Sequence, residues 1–174
     1  MSLPHENALR ASRKVLSALV VINVVYGLAI AGLLTWSFLN KDWVMTALGV
    51  RPALERESMV RGMRLVAFIG ILAVPLVHVV LTRVHDIVDT VRAGDPFIRD
   101  NARRMQTIAW TLLVMQVMSV LIGIVAARTR SEVQQLDINW SFSITPWIAV
   151  LLLFVLARVF EHGARMRADL EGTV

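Results

Sequence analysis

The 174-residue chain contains no cysteine. Disulfides, thiolate metal sites and thiol nucleophiles are therefore excluded. No Asp, Glu or Lys falls inside its long apolar blocks. Carboxylates and lysines at such positions mark proton relays and ion paths, so their absence counts against proton-coupled transport. No nucleophile–base pair, metal-ligand spacing or phosphate-binding loop is present, and the reading is a protein without enzymatic activity or cofactor. Internal repeats and low-complexity tracts are absent too. The basic cluster Arg99, Arg103 and Arg104 has no interleaved aromatics and no recognition-helix pattern, so direct nucleic-acid binding is not expected.

Hydrophobic residues make up 56% of the chain, with a mean hydropathy of +0.63. A soluble domain holds about 45–50%. The excess is gathered into four blocks, Val15–Leu39, Leu65–Thr82, Thr107–Ala127 and Ile144–Phe160. Each approaches the ~20 apolar residues that a helix needs to cross about 30 Å of hydrocarbon. Blocks rather than stripes indicate helices solvated by lipid. Arg13 and Lys14 precede the first block, and Ala29-Ile30-Ala31 resembles a leader cleavage site. The apolar run continues through Leu33, Leu34, Trp36 and Phe38, however, and reads as a retained span. The expected fold is all-α: a single domain over 1–174 forming a four-span transmembrane bundle with cytoplasmic helix extensions.

The connections carry their own signals. Trp43, Val44, Met45 and Leu48 suit an interfacial turn closed by Gly49, and Pro52 suits the start of the second helix. Pro75 predicts a kink in that helix. Beyond Thr82 the pattern turns amphipathic, with Val84, Ile87, Val88 and Val91 on one stripe. The helix is expected to stop at Gly94. Asp95 then caps, and Pro96 opens, the third helix. Thr145-Pro146 starts the fourth, which outruns the membrane into Glu161–Leu170. With the N-terminus inside, inner segments hold eleven Arg and Lys against seven outside. That balance predicts both termini in the cytoplasm. Trp36, Trp43, Trp140 and Trp147 would then sit at the outer boundary.

Two segments go beyond lipid packing. One is Val91-Arg92-Ala93-Gly94-Asp95-Pro96-Phe97 with Asn101-Ala102-Arg103-Arg104-Met105, a Gly-x-Pro-Phe turn followed by an asparagine and a basic-apolar helix start. The other is Gly163 through Val174. Both resemble blocks of the bacterial domain-of-unknown-function family twenty-nine seventy-five. The resemblance implies a small four-helix protein of the bacterial cytoplasmic membrane. It also implies a regulatory partnership with a small helix-turn-helix transcription regulator encoded alongside. Gly94, Asp95, Pro96, Phe97, Asn101, Arg165, Arg167, Asp169 and Glu171 are the candidate partner-binding residues.

Inside the spans, Asn23, His78 and Gln116 are the candidate polar residues. Interhelical hydrogen bonding is their ordinary use. Lining a path is the sharper one, and a small oligomeric transporter, or an immunity protein against a membrane-active peptide, is the alternative function. His78, Thr82, His85, Asp86 and Asp89 share helical spacing, but one helix face offers too few ligands for a metal. Ser119, Gly123 and Ala127 recur every fourth residue, which suits close helix packing within a copy or between copies. The expected partners are the bilayer, a small cytoplasmic regulator and a second copy of the chain.

Overall fold

A computed structural model describes residues 4–40, 56–128 and 143–171. These form four α-helices in chain order: α1 Pro4–Leu39, α2 Arg56–Arg92, α3 Arg99–Arg128 and α4 Thr145–Glu171. At about 1.5 Å per residue, each exceeds the thickness of the hydrocarbon layer. The apolar block is the central part of each helix, and polar sequence continues it outward. All four are long and apolar enough to cross a membrane. Residues 4–14 of the polar segment before Val15 form the opening turns of α1. The interfacial turn and the Pro52 start expected for the first connection lie outside the described residues. Helix α2 runs on through Pro75.

Among the described residues, only successive helices pack: α1 on α2, α2 on α3, and α3 on α4. The bundle is open, because α1 and α4 do not meet. Few side chains are buried, and those few are mostly small: Ala102, Ala109, Ala157 and Ala164 are all under one-tenth exposed. Val150, Ala157 and Ala164 recur every seventh residue of α4, whose one helical neighbour is α3. That spacing lays a straight seam along a helix. Alanine at the seam lets the backbones approach, which is how helices gain contact where lipid removes the hydrophobic drive. Large residues point outward instead, among them Ile22, Leu28, Phe38, Leu151 and Leu152. So much contiguous apolar surface demands an apolar solvent.

The α1–α2 contact is equally tight. A Cβ added to Gly27 would lie 2.8 Å from a methyl of Val74. Four residues earlier, Asn23 Nδ2 donates to the Val74 carbonyl at 3.0 Å. At the far end of α1, Arg64 donates to the Ser37 hydroxyl at 3.1 Å and to its carbonyl at 2.5 Å, and lies 4.1 Å over the Phe38 ring. A cation placed there offsets the negative pole of α1 and satisfies an end carbonyl. Arg64, in the third turn of α2, thus has a structural task.

Candidate interaction site at the turn and the fourth helix

The end of α2 is closed by a Schellman arrangement. Asp95 N–H donates to Thr90 C=O at 3.0 Å, and Gly94 N–H to Val91 C=O at 3.1 Å. Gly94 sits at φ 86°, the left-handed region that this motif requires and glycine fills without a Cβ clash. The predicted stop at Gly94 is observed. The predicted start at Pro96 is not: α3 begins at Arg99, with Ile98 C=O accepting the first turn bond from Asn101 N–H at 3.0 Å. Residues 95–98 are held instead by contacts from elsewhere in the chain, so neither Asp95 nor Pro96 belongs to the α3 cap.

Asn101 is completely buried. Its Nδ2 donates to Thr90 Oγ1 at 2.7 Å and to Pro96 C=O at 2.9 Å, and its Oδ1 accepts from Arg104 at 2.8 Å. Thr90 in turn donates its one hydroxyl proton to Ile87 C=O at 2.8 Å. One amide therefore stitches the last turn of α2, the connection and the first turn of α3. Arg104 extends the stitch, reaching Asp86 at 3.8 Å through Nε. One turn on, Asp89 takes Arg13 of α1 at 3.8 Å and His85 at 3.4 Å. The helical set His78, Thr82, His85, Asp86 and Asp89 is thus divided between two neighbours, Asp86 toward α3 and Asp89 toward α1. It does not form one ligand group.

The connection is also fastened to α4. The Phe97 ring lies 5.1 Å from that of Phe160. Gly163 makes room for it, since a Cβ there would stand 3.1 Å from Phe97 Cδ1. Asp95 accepts a charge-assisted hydrogen bond from Arg167, more than seventy positions away. Further along α4, Glu161 accepts from Arg158 at 3.1 Å and from Arg165 at 2.6 Å.

The candidate residues therefore fall into distinct roles. Gly94, Asp95, Pro96 and Asn101 build the turn, and Asn101 has no surface to offer. Phe97 joins the turn to α4 yet remains 46% exposed. Arg165, Arg167 and Asp169 are exposed on α4, and Glu171 is its final residue. Asn23 serves the α1–α2 contact, His78 is exposed on α2, and Gln116 is half-buried on α3. Among the described residues α1 and α3 do not pack, so Asn23 and Gln116 stand on helices that are not direct neighbours. Gly123 is buried within the chain.

Sequence reasoning missed Thr90, Arg104 and Phe160 as parts of the site. Thr90 and Asn101 lie on different helices across the turn, so no periodicity within one helix relates them. Phe160 and Gly163 are one turn apart on α4, and that pairing of an aromatic with a missing side chain was a legible receptor for Phe97.

The fold and its polar end define a class: a multi-pass α-helical membrane protein with a structured region beyond its spans. The chain belongs to a family described as proteins of unknown function (DUF2975), whose model matches residues 17–174. No curated protein and no solved structure matches it.

Proposed function

We propose that the protein is a membrane-embedded interaction protein whose polar end docks a small soluble regulator. The observation that carries this reading is the union of the two family-resembling segments. The Gly-Asp-Pro-Phe turn and the α4 extension are joined through Phe97, Phe160, Gly163, Asp95 and Arg167. Anchoring spans in lipid requires no such tie. The result is a platform that displays Arg99, Asp100, Arg103, Met166 and Asp169 to water. The partner of choice is a helix-turn-helix transcription regulator, as the family resemblance implies. The platform faces the bacterial cytoplasm, an orientation supported by the arginine balance and by the capping task of Arg64 outside. Any change in the bundle that alters the platform would shift the balance between bound and free regulator.

The test is recruitment of that regulator to membranes carrying the intact chain. Asp95→Asn combined with Arg167→Gln should abolish recruitment while membrane insertion persists. A correctly inserted double variant that recruits as the natural chain does would overturn the reading.

A further inference from the structure

A groove of about 750 Å³ runs between α3 and α4 at the edge of the apolar spans. It shares Arg99 and Arg103 with the edge of the docking platform but adds an apolar end that the platform lacks. Its wall on α3 carries Arg99, Arg103, Gln106 and Trp110, spaced so that all four lie on one helical face. Its wall on α4 carries Phe154, Arg158, Glu161 and Arg165 with the same spacing. The helices are antiparallel, and Trp110 meets Phe154 edge-on with centroids 5.2 Å apart. That contact sets the register. Gln106 comes opposite Arg158, Arg103 opposite Glu161, and Arg99 opposite Arg165. The floor is made of Ala102 and Ala157, whose small side chains leave the trough open.

The groove is thus graded along its length. Its deep end is an aromatic rung, and four guanidiniums follow over about 6–16 Å toward water, by the helical rise. Glu161 is the one carboxylate in the lining, and both α4 arginines already use it. Arg103 has Asp100 at only 3.9 Å and stays 81% exposed at its side chain. The rim therefore holds a surplus of positive charge contributed by two facing helices. Guanidinium planes match phosphate oxygens in bidentate pairs. A soluble anion would satisfy the rim and leave the aromatic rung unused. An acidic peptide would have to lie partly in the hydrocarbon.

We propose that this groove binds one anionic phospholipid from the surrounding leaflet. Its phosphodiester bridges Arg99 and Arg103 of α3 with Arg158 and Arg165 of α4. An acyl chain lies over Trp110 and Phe154. Basic recesses between membrane helices are suited to such headgroups. Because the lipid touches both helices, it also stabilises their pairing by mass action.

The test uses the full chain in nanodiscs of phosphatidylcholine containing roughly a quarter phosphatidylglycerol, an anionic surface of ordinary composition. Native mass spectrometry reads which lipids stay bound. The natural chain should retain phosphatidylglycerol at least about tenfold over its share, a modest binding preference. Arg99→Gln with Arg103→Gln should reduce retention to the level of phosphatidylcholine. Arg92→Gln, an exposed cation at the same end but outside the groove, should leave it unchanged. A photoactivatable phosphatidylglycerol added to the unmutated chain should label residues 99–110 and 154–165. Labelling elsewhere, or equal retention by the double variant, would overturn the proposal. So would displacement of the lipid by millimolar inorganic phosphate, which would reduce the site to a plain anion site.

Discussion

Asn101 concentrates more of the site than any other side chain. Its amide is fully buried and uses both its donors and its acceptor. Asn101→Leu would keep the volume, strand the Pro96 carbonyl and take one partner each from the Thr90 hydroxyl and the Arg104 guanidinium. A buried polar group stranded in this way costs about 1–3 kcal/mol. The variant should therefore unfold earlier in a detergent titration by roughly 3 kcal/mol, and Thr90→Val by about 1 kcal/mol. Equal midpoints for Asn101→Leu and the natural chain would remove Asn101 from the centre of the turn. Asp95 and Arg167 behave differently. Their side chains are 51% and 43% exposed, and a solvent-screened pair contributes little. Asp95→Asn alone should shift stability by less than about 1 kcal/mol. Recruitment and stability can thus be separated at this pair, as they cannot at Asn101.

Helix pairing shows where sequence reading succeeds and where it stops. The four spans were legible because lipid obliges every spanning segment to satisfy its own backbone, which produces long apolar blocks. The stop of α2 was legible because only glycine takes the φ of Gly94 easily. The start of α3 was misread at Pro96 because a local rule cannot see Phe97 drawn toward Phe160. The order of packing was hidden for a deeper reason. A lipid-facing helix is apolar all round, so the pattern that names the inward face of a soluble helix disappears. What survives is residue size, as in the seam of Ala157 and Ala164. At the α1–α2 crossing the same logic makes a quantitative claim. Gly27→Ala would bring its Cβ to 2.8 Å from Val74, a stiff β-branched neighbour. Overpacking of this kind costs about 1–3 kcal/mol. Val74→Ala in the same chain should recover most of the loss. If thermal unfolding shows the two effects simply adding, the helices do not meet at that point.

The platform, the groove and the arginine balance all bear on one property, the sidedness of the chain. The turn after α2 touches the extension of α4, and Arg13 of α1 reaches Asp89 of α2. The outer turns of α1 and α4 and the α2–α3 connection therefore occupy one face of the membrane. Ser143 and Ile144, at the opposite end of α4, occupy the other. The absence of native cysteine makes this directly measurable, because any thiol introduced is the sole target of a maleimide. Asp100→Cys and Asp169→Cys stand at exposed positions near the platform, and Ser143→Cys at an exposed position across the membrane. In intact cells an impermeant maleimide should label Ser143→Cys and spare the other two, and in inverted vesicles the pattern should reverse. Labelling of Asp100→Cys and Asp169→Cys from opposite faces would contradict the fold itself. Their joint labelling from outside the cell would keep the fold but turn the platform away from any cytoplasmic regulator. A single set of three thiols thus separates the architecture from the function proposed for it.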